Sequence, residues 1–188
     1  MKTKKITILI LLIIAINNLV GQDNKTAEKY GNTLNLGVGI GYYGYLGETL
    51  PVGLINFEFD VAKNFTLAPF IGFYSYQRSY YWGDKNHPER YYSYKTVVVP
   101  VGVKGTYYFD QLFHAGSKWD FYAAGSIGFA FRNSVWESGY YGDQKVYQSA
   151  SPLYLDAHIG SEFHMTPKLG LFLDLSTGVS TFGLAIHL

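Results

Sequence analysis

From Asn32 onward the chain alternates. Apolar positions trade places with small or polar ones at a period of two, in segments of about ten residues separated by turn chemistry. Leu34, Leu36, Val38, Ile40 and Tyr42 interleave with Asn35, Gly37, Gly39 and Gly41. Ile55, Phe57, Phe59 and Val61 interleave with Asn56, Glu58 and Asp60. Phe65 to Tyr76 forms a third segment, which contains Pro69. Val97, Val99, Val101 and Val103 alternate with Thr96, Val98, Pro100, Gly102 and Lys104. Phe121 to Arg132, Leu153 to His164, Leu169 to Ser176 and Phe182 to Leu188 repeat the pattern. Eight strands are expected, and no segment after residue 21 carries the 3.6-residue period of a helix.

The two faces differ in size as well as polarity. Eight strands close a barrel whose interior is just wide enough for side chains. Large Leu, Val and Phe rows on every strand would overfill it, whereas Gly, Ala, Ser and paired charges fit. The apolar rows therefore face outward, toward lipid, and the small polar rows face the lumen. Closure also removes the sheet edges that hydrocarbon does not tolerate. The expected fold is all-β, an eight-stranded antiparallel up-and-down transmembrane β-barrel.

Connection lengths alternate too. Ala62-Lys63-Asn64 and Met165-Thr166-Pro167-Lys168 are tight turns, while 77–94 and 133–151 read as long polar-aromatic loops. Short turns on one side and long loops on the other is the outer-membrane pattern. Asp110 to Lys118 is long for a turn, and Gly178 to Ser180 is short for an external loop. Tyr107, Tyr108, Phe109, Trp119, Phe121 and Tyr122 form one aromatic band, and Tyr42, Tyr43, Tyr45, Tyr74 and Tyr76 the other. Such rings favour membrane interfaces.

The first 21 residues read as an address. Met1-Lys2-Thr3-Lys4-Lys5 is basic, Ile6 to Ile16 is apolar and uncharged, and Asn17-Asn18-Leu19-Val20-Gly21 closes it. That is a secretory signal peptide, because the apolar run is too short to span a bilayer. Residues 22–188 are then one barrel domain. The formal charge of +1 becomes 12 basic against 14 acidic side chains, a net −2, once the three leader lysines are removed.

Composition narrows the function classes. No cysteine means no disulfide, thiolate metal site or cysteine nucleophile. Near-neutral charge without a basic run excludes a nucleic-acid partner. Charged residues make up 15% of the chain, below the roughly 25% of soluble domains, which fits strand exteriors that meet lipid.

With these features in place, the chain resembles small outer-membrane β-barrel proteins of the porin-like, OmpA-transmembrane-domain type, with a Bacteroidetes character. The stretches that carry the resemblance are Val99-Pro100-Val101-Gly102-Val103-Lys104-Gly105-Thr106-Tyr107-Tyr108-Phe109 and Leu169-Gly170-Leu171-Phe172-Leu173-Asp174-Leu175. Thr181, Gly183, Ile186 and Leu188 resemble the C-terminal assembly signal of that family, with Leu in place of the usual final aromatic. The resemblance implies a bacterial outer-membrane location, contact with outer-membrane lipid, and the barrel-assembly machinery as a partner during insertion. It implies a structural, surface-recognition or weak porin-like role without catalysis, cofactor or metal. The loops 77–94 and 133–151 would be the place for a surface ligand.

Candidate chemistry lies on the lumen face. Glu58, Asp60, Lys104, Arg132, Asp156, His158, Glu162, His164 and Asp174 all share the inward parity. Charges inside a narrow barrel must be paired or solvated, so the first expectation is a polar network filling the lumen. A narrow pathway or small-ligand site is the second. Asp156, His158, Glu162 and His164, on one strand, are a weaker metal or acid-base set. Gly39-Ile40-Gly41-Tyr42-Tyr43-Gly44 matches G-x-G-x-x-G, but a turn rather than a helix follows, so phosphate binding is not expected. Two rival functions remain open: a lipid A-modifying enzyme and a soluble lipocalin-like barrel. The enzyme needs Ser161 near His158 and Glu162, which have the opposite parity. The lipocalin needs the valine and leucine rows inside.

Overall fold

The computed structural model describes residues 30–43, 48–109, 118–144 and 153–188. The leader, its cleavage after Gly21, residues 22–29 of the expected barrel domain and most of the Asp110 to Lys118 connection lie outside the described residues. Eight strands follow in order: β1 (Thr33–Tyr43), β2 (Glu48–Ala62), β3 (Phe65–Asp84), β4 (His87–Tyr108), β5 (Trp119–Trp136), β6 (Leu153–Thr166), β7 (Leu169–Ser176) and β8 (Val179–His187). Each pairs antiparallel with its sequence neighbour, and β8 returns to β1, with Leu36 opposite Leu184 and Thr33 opposite His187. The sheet is a closed up-and-down barrel.

The two-residue period sets which side chains meet the outside. Val38, Ile40, Ile127, Phe129, Phe131, Leu155 and Phe182 are each more than half exposed, on four different strands. Together with Leu171, Leu173 and Leu175 they make a continuous apolar belt. An apolar exterior on a sheet without edges is the architecture of a transmembrane β-barrel. It is the inverse of a lipocalin-like barrel, whose apolar face would point inward.

The interior is bulkier than a small-residue lumen. Tyr74, Tyr76, Tyr108 and Tyr122, which read as interface bands in sequence, are buried inside instead. Parity decides this: Tyr108 shares its face with Lys104, and Tyr74 with Phe70. Glycine on neighbouring strands supplies the room. A Cβ at Gly160 would lie 2.3 Å from the Tyr122 ring, and one at Gly37 would lie 3.0 Å from the Phe172 ring.

Toward one end, Leu50, Val52, Tyr74, Tyr76, Tyr94, Val98 and Val179 pack into an apolar plug. Toward the other, the lumen is polar. The polar end carries the Lys63–Asn64 and Pro167–Lys168 turns, Thr33 and His187, and is called the turn end here. Asn64 sits in the left-handed region there (φ 57°), which Asn tolerates in tight turns.

The segment 77–94 is not a loop. β3 runs to Asp84 and β4 starts at His87, so the connection is a two-residue turn on a long hairpin. At 20 and 22 residues these strands outrun the 8-residue β7 by roughly 40 Å at about 3.3 Å per residue. The segment 133–151 is also part strand, because β5 continues to Trp136; residues 145–151 lie outside the described residues. Above the apolar belt neither face of a strand meets lipid, so the polar-apolar alternation that reveals strands fades there.

Candidate functional site

Two places gather chemistry: the lumen network and the top of the hairpin. The network is built from strands whose inward positions lie at one level. At its centre, Asp174 on β7 pairs with the Lys104 ammonium of β4 across the lumen. The same carboxylate accepts the Tyr122 hydroxyl at 3.0 Å and meets His158 Nδ1 at 2.7 Å. His158 Nε2 in turn lies 2.8 Å from Ser126 Oγ. Lys104 also stands 4.7 Å from the centroid of the Tyr122 ring. A buried acid surrounded by a cation, an imidazole and a phenol has the donors it needs in a dry setting.

A second level lies toward the turn end. Glu58 is buried and accepts hydrogen bonds from Tyr108 Oη at 2.6 Å, from Asn35 Nδ2 at 3.2 Å and from the Thr66 hydroxyl. Asn35 Nδ2 also donates to Asn56 Oδ1 at 2.9 Å. Tyr30, just before β1, stacks on Tyr108 with ring centroids 3.8 Å apart. Asp60 accepts the backbone N–H groups of Tyr30 and Gly31, both at 3.2 Å, and so holds the chain entry against the barrel rim.

The four polar residues of β6 separate into different levels rather than forming one cluster. Asp156 faces the β7–β8 turn and accepts the N–H of Gly178 at 2.7 Å and of Val179 at 3.0 Å. His158 belongs to the central level. Glu162 and His164 sit at the turn end, where Glu162 Oε1 meets His187 Nε2 at 2.7 Å and His164 Nε2 meets Asp120 Oδ2 at 2.7 Å. Arg132 stands on β5 level with Val98, beside the apolar plug. Thr181 and Gly183 face the lumen from β8, whereas Ile186 lies on the outward parity and Leu188 just beyond the strand.

Several members of the network escaped sequence reading. Tyr108 and Tyr122 look like interface aromatics until their parity with Lys104 and Arg132 is counted. Asp120 lies just before the expected start of its strand. His187 lies within the expected Phe182 to Leu188 segment at the inward parity, but alternation alone does not show that it meets Glu162.

The void left among Asn56, Glu58, Lys104, Ser126, His158 and Asp174 has a volume of about 20 Å³, space for one water molecule. With the plug above it, the lumen of the described barrel is filled rather than open.

The hairpin top carries the second constellation. Trp136 stacks on Tyr140 with centroids 4.0 Å apart, and Trp82 meets both Tyr92 and Tyr140 edge-on at 5.8 and 5.2 Å. His87 stacks on Tyr141 at 4.6 Å. The Arg90 guanidinium lies 4.3 Å over the Tyr92 ring and pairs with Glu137 at 3.3 Å. Glu137 also accepts the Ser93 N–H and donates its own N–H to Ser93 O. Residues 137–144 are thereby folded onto the hairpin as one aromatic outcrop. Tyr81, Tyr91 and Tyr141 remain largely exposed on it.

No protein-family model matches the chain, and no curated protein is close enough in sequence to count as a match. Solved structures are similar in shape. A de novo designed transmembrane β-barrel aligns with a TM-score of 0.48 at 12% identity, covering 86% of this chain and 98% of the other. Neisserial surface protein A aligns with a TM-score of 0.49 at 12% identity, covering 84% and 96%. Ail, the attachment invasion locus protein of Yersinia pestis, solved with the heparin analogue sucrose octasulfate, aligns with a TM-score of 0.43 at 8% identity, covering 82% and 96%.

Proposed function

We propose that this chain is a non-enzymatic protein of the bacterial outer membrane, with a sealed barrel that anchors a surface-recognition element. The observation that carries this reading is the aromatic outcrop. A hairpin far longer than a membrane requires is stiffened by ring stacking and by the Arg90–Glu137 pair, while the lumen below it is filled. Exposed Tyr side chains held in fixed positions by the rings beneath them supply contact area at low entropic cost, as binding hot spots do. The turn end then faces the periplasm and the hairpin faces the exterior.

The test has three arms. In intact cells a membrane-impermeant amine reagent should label Lys85, at the exposed tip; labelling only after lysis would place the hairpin on the wrong side. Purified protein in a planar bilayer should give no channel events, since open pores conduct at any applied voltage. Cells carrying wild type should adhere to arrayed surface glycans or proteins more than cells carrying Tyr91→Ala/Tyr141→Ala. Equal adhesion would sink the recognition role.

One observation favours a second reading. Ser126, His158 and Asp174 are linked in the order of a hydrolase triad. Against it, the hydroxyl opens on a void of one water, so an acyl substrate has no seat beside it. Ser161, the serine weighed for lipid A deacylation, points outward, away from His158 and Glu162. A fluorophosphonate probe should leave Ser126 unmodified in the folded barrel, and covalent labelling there would establish the hydrolase instead.

A further inference from the structure

The geometry points to a divalent transition-metal site at the turn end, formed by Glu162 and His164 of β6 and His187 of β8, and suited to zinc. One donor atom from each residue lies within 4.8 Å of the others. His187 Nε2 is 2.7 Å and His164 Nδ1 3.7 Å from the same oxygen, Glu162 Oε1. Donors around a tetrahedral zinc at about 2.0–2.1 Å stand about 3.3 Å apart, so a small adjustment of three side chains closes the coordination shell. Two imidazoles and a carboxylate with one position left for water is a zinc donor set, borderline-soft and three-coordinate from the protein.

Two further features separate this site from a chance meeting of polar groups. The outward-turned nitrogen of each imidazole is already held. His164 Nε2 is bound to the Asp120 carboxylate at 2.7 Å, and His187 Nδ1 to Thr33 Oγ1 at 2.9 Å. That fixes the ring orientation and leaves the other nitrogen of each ring facing Glu162, which is how metal-binding histidines are oriented by their outer partners. The strand between the donors also makes room. β7 lies between β6 and β8, and its residue beside the site is Gly170, paired with His164. A Cβ at Gly170 would stand 2.1 Å from Glu162 Oε1, so only glycine lets the carboxylate rest between the two rings. Glu162 is buried, while His164 and His187 stay partly open at the barrel mouth, which gives an ion a way in. A bound cation would displace the imidazole proton that now bridges to Glu162 and would tie β6 to the strand that closes the barrel.

The experiment uses the full chain folded in detergent micelles, with zinc alone as the probe and cobalt as its spectroscopic substitute. Calorimetry should show one saturable zinc site. The zinc-edge X-ray absorption of the wild-type protein should show two imidazole nitrogens and a carboxylate oxygen at about 2.0–2.1 Å. His164→Ala and His187→Ala should each abolish the site, and Asp120→Asn should weaken it 10- to 100-fold. His87→Ala, at the other end, should leave it unchanged. Heat-modifiable gel migration checks that each variant is folded, and where one is not, the wild-type absorption spectrum decides. Absence of saturable binding, a shell without two imidazoles, or zinc that follows His87 would overturn the site.

Discussion

Asp156 of β6 receives the backbone N–H of Gly178 at 2.7 Å from the turn that joins β7 to β8. The same carboxylate accepts Val179 N–H, the Ser176 hydroxyl and the Thr177 hydroxyl at 3.0, 2.8 and 2.7 Å. A two-residue connection at the hairpin end is thus organised by an acid on the strand next door. Asp156→Ala removes the acceptor these four donors share. Ser176 Oγ still accepts the Gly178 and Val179 N–H groups at 3.2 and 2.6 Å, so the cost is about 1–3 kcal/mol for a group that cannot reach water rather than that sum for all four. A loss of about 1–3 kcal/mol in urea unfolding from lipid vesicles is expected, with Asp156→Asn losing less because an amide oxygen still accepts. Equal stability for wild type and Asp156→Ala would contradict this role.

Lys104 and Asp174 form the buried ion pair at the centre of the network. Removing one partner of such a pair costs about 3–5 kcal/mol, while removing both together costs less than the sum. Lys104→Met and Asp174→Asn should therefore each destabilise strongly and couple in the double variant. Additive losses in a denaturation cycle would show that the two side chains act independently.

Gly183 sits where the barrel closes. A Cβ there would fall 2.0 Å from the Leu36 carbonyl oxygen and 2.8 Å from Gly37 Cα on β1. Backbone cannot yield as a side-chain tip can, so Gly183→Ala should cost about 1–3 kcal/mol. The loss should appear in refolding with purified lipid, without assembly machinery. A defect seen only in cells would assign Gly183 to recognition by that machinery alone.

Asp84 begins the hairpin turn. Its carboxylate accepts the N–H groups of Asn86 and His87 at 2.8 and 2.9 Å and also contacts the His87 ring. The Asn86 hydrogen bond, then that of the His87 side chain, holds this carboxyl below its ordinary value. A depressed carboxyl stabilises the turn at pH above the unfolded value of about 3.9 and loses that effect as pH falls through the folded one. Carbon NMR should find Asp84 titrating lower than a model aspartate, with amide exchange at Asn86 and His87 speeding up over the same range. Titration at or above the ordinary value would refute the turn contact.

The membrane-level part of the fold was legible because lipid outside and a polar lumen inside impose opposite demands on alternate residues. The rows of Leu34 to Tyr42 and Val97 to Lys104 carry that contrast. It is absent beyond Tyr76, where Tyr80, Tyr81 and Trp82 succeed one another in a strand whose outer face meets water rather than lipid and whose inner face meets other rings, so the hairpin reads as a loop. The polar lumen was visible as parity, but its partners were not. That Asp174 meets Lys104 while Asp156 turns to a backbone turn depends on strand stagger, which periodicity does not encode. Likewise His187 joins Glu162 only because β8 closes against β1 and lies two strands from β6.

That closure has a consequence for the order of events. β1 through β7 can each add to the neighbour just made, whereas Thr33 and His187 meet across 154 positions of chain. Joining such distant segments is the entropically slow step of assembly. Until it happens the growing sheet has two bare edges, β1 and whichever strand was added last, each able to pair with another chain. The lifetime of that open sheet, rather than the stability of the finished barrel, sets how often the chain goes astray.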